Sequence, residues 1–155
     1  MAVPLVIDGY NLLYALGEGP GREARERLTH DLIRYARQRG RQVVLVFDAW
    51  AQGGPAEQAS ARGPVSVLYT RRGERADERI RRWVAARREA VVVTSDREVA
   101  RAVERLGAVA LSAGAFAERL AAALSPAGDA EGEDEAPSPR ARLSGGARRA
   151  WLRGL

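Results

Sequence analysis

Short apolar runs rich in valine recur along this chain, and longer segments with helical spacing separate them. Each run is typical of a buried strand, and the alternation predicts a mostly parallel sheet with helices on both faces. The predicted fold class is therefore a single, five-stranded α/β domain. The predicted strands cover residues 3–8, 42–47, 65–70, 90–94 and 108–111, and the predicted helices cover 22–39, 76–88, 96–106 and 113–124.

Four aspartates lie at the points where strands end or the next helix begins. Asp8, Asp48 and Asp96 close or directly follow predicted strands, and Asp77 opens the helix that follows the third strand. In an open parallel sheet, ligands bind beyond the carboxyl ends of the strands, so these carboxylates are expected to converge. Hard oxygen ligands favour Mg²⁺ or Mn²⁺. The sequence therefore predicts an acidic metal site.

A purely structural interpretation exists for each of these positions. Asp8 could cap the turn after its strand, and Ser95 with Glu98 has the spacing of a capping box. Asp77 and Glu78 could simply compensate the dipole at a helix start. Independent caps, however, have no reason to gather at one edge of one sheet. This conjunction favours the metal site.

The composition excludes several kinds of chemistry. All 25 cationic residues are Arg, there is no Cys, and His30 is the single histidine, within a predicted helix. Disulfides, thiolate zinc sites, cysteine nucleophiles, P-loop lysines and Schiff-base lysines are therefore absent, and a histidine base is disfavoured. Hydrolysis of a phosphodiester by carboxylate-bound metal needs none of these groups.

An arginine-rich stretch beside the predicted site favours a polyanionic substrate. Residues 69–88 hold eight Arg and three acids, and the chain has a formal charge of +5. Arg75, Arg79 and Arg82 have i, i+4, i+7 spacing, which predicts one stripe that could bind an RNA backbone, with Arg71 and Arg72 preceding it. The structural alternative is a solvated helix face. Trp50, after Asp48, could stack on a base, but packing is the favoured interpretation.

The chain changes character after the last predicted helix. We expect a domain over residues 1–124, an acidic linker with Pro and Gly over 125–139, and a basic tail over 140–155 that is either a short docking helix or a nucleic-acid-binding tail. No run approaches the roughly 20 apolar residues of a membrane span, and no signal peptide is recognisable. A cytoplasmic protein without a membrane partner is expected.

Several motifs together resemble the NYN branch of the PIN-like nuclease superfamily, and within it the bacterial YacP-like proteins. They are VIDGYNLL at 6–13, VFDA at 46–49, ADERI at 76–80 and VTSD at 93–96. The resemblance covers about residues 3–124. It implies a Rossmann-like sheet of strand order 3-2-1-4-5 and endoribonuclease activity with Mg²⁺ or Mn²⁺.

The resemblance also implies roles for individual residues. Asp8, Asp77 and Asp96 would be the catalytic acids that hold the metal, and Asn11 and Asp48 would support them. Glu78 and Ser95, which adjoin two of these acids, are further supporting candidates. The implied substrate is mRNA, with a link to the ribosome.

Two alternatives to a nuclease remain open from the sequence. The first is a non-catalytic RNA-binding or ribosome-associated module on the same fold. The second, a small-molecule phosphatase or nucleotide-binding domain, ranks last because no glycine-rich phosphate loop follows the first strand.

Overall fold

The structure, a computed structural model, describes residues 2–126 and 150–155. Its centre is a six-stranded sheet in the order β3-β4-β2-β1-β5-β6, with every neighbouring pair parallel except β3 and β4. The elements in chain order are β1 (Leu5–Asp8), α1 (Gly9–Ala15), α2 (Arg22–Arg39), β2 (Val43–Phe47), β3 (Gln58–Arg62), β4 (Val65–Tyr69), α3 (Ala76–Arg87), β5 (Val91–Val93), α4 (Arg97–Arg105), β6 (Val109–Leu111) and α5 (Ala113–Leu124).

The predicted fold class is confirmed, but the predicted strand count is wrong by one edge strand. The five predicted strands lie in the predicted order, and β3 adds an antiparallel strand beside β4. None of the five predicted strands includes the segment Gln58–Arg62. Four of its five residues are exposed and none is strongly apolar. A strand with no buried face leaves no apolar alternation in the sequence.

The first predicted helix begins at residue 22, but in the structure a helix already begins directly after the first strand. Helix α1 spans Gly9–Ala15, and Asp8 is its N-cap. Leu12 and Leu13 are buried on its inner side. On its outer side the helix carries Asn11, which is partly buried, and Tyr14, which is exposed.

The sheet separates two hydrophobic clusters, one on each face. In β1, Leu5 and Ile7 join the cluster that contains residues of α1, α2 and α5, whereas Val6 joins the cluster that contains residues of α3 and α4. Alternate side chains of a strand point to opposite faces, so a strand buried on both sides is apolar throughout. This double burial fixes where β1 ends, and with it the position of Asp8.

The last six residues pack against the domain. Trp151 and Leu152 contact the cluster of α1, α2 and α5, and Leu155 is buried. Arg41, with 3% of its surface exposed, donates hydrogen bonds to the carbonyl oxygens of Val3, Trp151 and Arg153 at 3.0, 3.2 and 2.9 Å. Residues 150–155 thus pack on the domain, and the role predicted for the tail as a whole stays a prediction.

The rest of the predicted tail and nearly all of the predicted acidic linker lie outside the described residues, so the predicted domain division stays a prediction. Among the helices that the structure describes, none has the length and apolar character needed to cross a membrane.

Candidate active site

The four predicted acids line one cavity at the carboxyl edge of the sheet. Its volume is about 520 Å³. Asp8 comes from the end of β1, Asp48 follows β2, Asp96 follows β5, and Asp77 lies in the first turn of α3. The structure thus brings together residues that are up to 88 positions apart in the sequence. The other lining residues are Tyr10, Asn11, Tyr14, Pro20, Arg75 and Ala76.

Asp8 is the most constrained of these acids. Its carboxylate accepts hydrogen bonds from the Asn11 backbone N–H at 3.4 Å and from Asn11 Nδ2 at 3.1 Å. The pKa of the Asp8 carboxyl is raised to about 6. Burial is the largest cause, the backbone hydrogen bond from Asn11 opposes it, and the charges of Asp77, Asp48 and Asp96 add to the rise. A carboxylate with these neighbours is stabilised by any cation that enters the cavity.

Asn11 joins two of the strand ends that form the cavity. Its Nδ2 donates to Asp8, and its Oδ1 accepts a hydrogen bond from the Ser95 backbone N–H at 2.9 Å. One side chain therefore fixes the orientation of the Asp8 carboxylate and the distance from β1 to the loop before α4. These contacts are those of a positioning residue.

The predicted capping box of Ser95 and Glu98 is wrong, because Asp96 is the N-cap of α4. Its carboxylate accepts from the backbone N–H groups of Glu98 at 2.9 Å and Val99 at 3.4 Å. The Ser95 hydroxyl instead accepts from the Ala113 N–H at 3.3 Å, at the start of α5. Asp96 thus both caps a helix and lines the cavity.

Asp48 connects the cavity to two neighbouring segments. Its Oδ1 accepts from the Trp50 backbone N–H at 2.8 Å, and its Oδ2 accepts from the Ala76 N–H at 3.4 Å. The second bond holds the start of α3, where Asp77 lies. Asp48 therefore positions Asp77 in addition to contributing its own negative charge to the cavity.

Asp77 is the acid with the weakest protein partners. Its nearest cation is Arg81, one helical turn away, with 3.9 Å between Arg81 Nη2 and Asp77 Oδ2. Both side chains are about one-third exposed or more, and exposed pairs at this spacing contribute only about 0.3–0.5 kcal/mol. The Asp77 oxygens are thus available to a ligand. Glu78 is exposed and is not among the residues that line the cavity.

The five predicted RNA-binding arginines lie in three different environments. Arg75 lines the cavity, whereas Arg79 forms an ion pair with Glu57, and Arg82 donates to both oxygens of the buried Glu74 at 2.9 and 3.0 Å. Arg71 and Arg72 are exposed in the loop between β4 and α3. RNA contact by Arg79 and Arg82 stays a prediction, and the acids that hold them were not expected from the sequence.

Two exposed aromatic side chains near these acids were not predicted from the sequence to belong to the site. Tyr14 lines the cavity and is 67% exposed, and Trp50, which was expected to pack, is 46% exposed. The spacing carried a usable signal for Tyr14, since it lies three residues after Asn11 and so on the same face of α1.

The acids are gathered but do not form a closed cage. Within residues 2–126 and 150–155, no group of three or more acidic or histidine side chains is arranged tightly enough to ligate one ion directly. A hydrated cation could still bind among these acids, with water molecules between the ion and the carboxylates that do not reach it directly. Mg²⁺ is commonly bound in this way.

Comparisons with known proteins agree with the motifs. The YacP-like NYN domain family matches residues 5–151. The curated protein YacP of Bacillus subtilis (strain 168), described as uncharacterized, is 34% identical over 88 residues, which cover 53% of this chain. The chain spans about half of that relative's length, since the match covers 51% of it.

Solved structures give the same result. Two crystal structures of Rae1 (YacP) from Bacillus subtilis, one of them of a tryptophan-to-leucine mutant, match with TM-scores of 0.59 and 0.58 at 29% identity. They cover 76% and 75% of this chain, which in turn covers 72% of each of those chains. The family match extends over nearly the whole sequence, and the chain belongs to the family of YacP-like NYN domains.

Proposed function

We propose that this protein is a metal-dependent endoribonuclease. The observation that carries the proposal is the convergence of Asp8, Asp48, Asp77 and Asp96 in one cavity, with Arg75 at the same cavity. NYN domains are nuclease-like, and PIN-like nucleases generally use divalent metal ions. The family supports the class of reaction, and the cavity supplies the residues that would perform it.

The residues present fit a hydrated Mg²⁺ or Mn²⁺ ion. The available donors are carboxylate oxygens, which hard cations prefer. A water takes about 30 Å³ of liquid volume, so six waters around an ion need about 180 Å³. The cavity of about 520 Å³ is large enough for such an ion and for a phosphodiester group beside it. Asp8, Asp77 and Asp96 are the residues that would hold it.

A divalent ion at this position would lower the pKa of a water and neutralise charge on the scissile phosphate. The protein's own groups divide the remaining work. Asn11 keeps the Asp8 carboxylate in one orientation, and Asp48 holds the start of α3 so that Asp77 faces the cavity. Arg75 provides a planar guanidinium that can bind a phosphate oxygen of the substrate.

The direct test is RNA cleavage with and without metal. Wild-type protein should cleave single-stranded RNA in Mn²⁺ or Mg²⁺ and stop when chelator is added. The variants Asp8→Asn and Asp77→Asn should lose on the order of 100-fold in rate, the magnitude typical of removing one charge-stabilising group. Asp31→Asn is the matched control, because this acid belongs to α2 and does not line the cavity.

Two results would refute the nuclease proposal. One is cleavage that resists chelator. The other is full activity in the Asp8→Asn and Asp77→Asn variants.

The proposal includes mRNA as the substrate and the ribosome as the place of cleavage, as the family resemblance implies. A purified translation system tests this part. Cleavage of an mRNA that requires active translation and is absent with Asp8→Asn would support it. Equal cleavage of the same RNA without ribosomes would overturn the ribosome coupling and leave the nuclease proposal intact.

The alternative function, a non-catalytic RNA-binding or ribosome-associated module, is favoured by one observation. No three acids in the described part of the chain form a ready ligand set. This alternative predicts salt-dependent RNA binding that Asp8→Asn and Asp77→Asn do not weaken, with no cleavage in either the free or the translating system.

A further inference from the structure

Two aromatic side chains are exposed beside the acidic cavity. Among the described residues, Tyr14 at 67% and Trp50 at 46% are the large hydrophobic side chains with high exposure. Tyr14 lines the cavity itself. Trp50 lies against Arg75, whose guanidinium carbon is 5.0 Å from the Trp50 ring centroid, and Arg75 lines the same cavity. The two exposed aromatics thus border one site.

The loop that carries Trp50 is held in place by its backbone. The Trp50 carbonyl accepts from the Gly73 N–H at 3.0 Å, and its N–H donates to Asp48. The Ala49 N–H donates to the Thr70 hydroxyl at 2.8 Å. At Gly53, a Cβ would lie only 2.7–2.9 Å from three backbone atoms. An exposed tryptophan on a loop this closely packed is preorganised, which lowers the entropic cost of binding a ligand.

A second tryptophan shows what a packing role looks like in the same domain. Trp83 of α3 also has a guanidinium over its ring, that of Arg87 at 4.5 Å from the centroid, but only 6% of Trp83 is exposed. Its ring lies in the cluster shared by α3 and α4. Trp50 has an arginine over its ring, as Trp83 does, but its ring is not buried in a cluster. Packing in the core therefore does not account for the position of Trp50.

We propose that Trp50, stacked on Arg75, and Tyr14 bind unpaired nucleobases of the RNA strand next to the acidic cavity. The inference rests on the proposed function in so far as it takes RNA as the ligand. Aromatic faces accept any base, and each such stack contributes about 1–3 kcal/mol. Arg75 adds a positive charge that suits the adjoining phosphate. Because a base in a duplex is covered by its neighbours, the substrate is single-stranded where it meets the site.

The test measures RNA binding, with chelator present to keep the RNA intact. The probes are a short single-stranded oligoribonucleotide, the same strand with abasic residues, and the same strand in a duplex. Trp50→Ala and Tyr14→Ala should each weaken binding of the single strand by about tenfold, which corresponds to about 1.4 kcal/mol. Binding of the abasic strand and of the duplex should not change.

Two control variants separate stacking from folding. Trp50→Phe keeps an aromatic face and should bind the single strand within about threefold of wild type. Trp83→Phe changes a buried ring and should leave the affinity unchanged. In wild type, tryptophan fluorescence should be quenched by the single strand, and the Trp50→Phe variant should lose most of that quenching.

The two proposals fail in different ways. Equal loss of affinity for the base-containing and abasic strands, or no loss with Trp50→Ala, would overturn base stacking even if the protein cleaves RNA. Base-dependent binding that Trp50→Ala abolishes, in a protein that cleaves no RNA, would uphold the stacking site and refute the nuclease.

Discussion

Replacing Asp8 with asparagine should make the metal-free protein more stable at neutral pH. Burial raises the pKa of Asp8 from its ordinary value of 3.8 to about 6 in the folded protein. A carboxyl whose pKa is raised in the folded protein contributes most to folding stability when the pH is below its unfolded-state pKa. That contribution is lost as the pH rises from the unfolded value towards the folded one, because the folded state then holds more protons than the unfolded state.

The magnitude follows from the two pKa values. Their difference of about two pKa units corresponds to roughly 3 kcal/mol of unfolding free energy. This stabilisation is completely lost once the pH exceeds about 6–7. Between about pH 4 and pH 7, wild type should therefore lose about 2–3 kcal/mol relative to Asp8→Asn. Asparagine still caps helices well, so the hydrogen bonds from Asn11 are lost only in part.

The assay is urea unfolding across this pH range, with chelator present, for wild type, Asp8→Asn and Asp31→Asn. The free-energy difference between wild type and Asp8→Asn should grow with pH, whereas Asp31→Asn should follow wild type. Adding Mn²⁺ at about 100 times its dissociation constant should restore about 2.7 kcal/mol to wild type at neutral pH and much less to Asp8→Asn. A constant difference at all pH values would refute the raised pKa of Asp8 and the burial that is its main cause.

Three further substitutions test the packing around the site. Gly9→Ala would place a methyl carbon 2.4 Å from Cε1 of the buried Phe47 ring, and should lower the unfolding free energy by about 1–3 kcal/mol in urea; an unchanged midpoint would contradict this. Arg41→Ala removes hydrogen bonds to three carbonyls and should lower the unfolding free energy by about 2–4 kcal/mol. Amide hydrogen exchange in residues 150–155 should become faster. Unaltered exchange would show that residues 150–155 dock without Arg41. Gly53→Ala forces the Trp50 loop to shift and should weaken single-stranded RNA binding as much as Trp50→Ala does; wild-type affinity would show that the loop tolerates the shift.

The sequence was sufficient for the central part of the fold because both faces of the central strands are buried. Apolar runs such as Val43–Phe47 leave a clear signal, and their parallel order follows from the helices between them. Strand β3 left no such signal, since four of its five residues are exposed and its position in the sheet is given by its pairing with β4. Edge strands of this kind are set by tertiary pairing rather than by local pattern.

The candidate site was predictable as a set of acids and much less so as a set of contacts. Strand ends could be located from the apolar runs, which placed Asp8 and Asp96 at one edge. Which oxygen caps which helix depends on side-chain geometry, so the assignment of Ser95 as a cap failed. The partners of Arg79 and Arg82 lie outside α3, since Glu57 directly precedes β3 and Glu74 lies in the loop between β4 and α3. The spacing of arginines along α3 therefore carries no information about these two ion pairs.

Anomalous scattering from crystals soaked in Mn²⁺ would show whether a divalent ion binds among the four acids. We expect a single strong peak, or a close pair, inside the cavity within reach of the Asp8, Asp77 and Asp96 carboxylates, and we expect this peak to be lost in Asp8→Asn crystals. A cavity without a peak at a Mn²⁺ concentration that supports RNA cleavage, or a peak only at another place on the protein, would contradict this expectation.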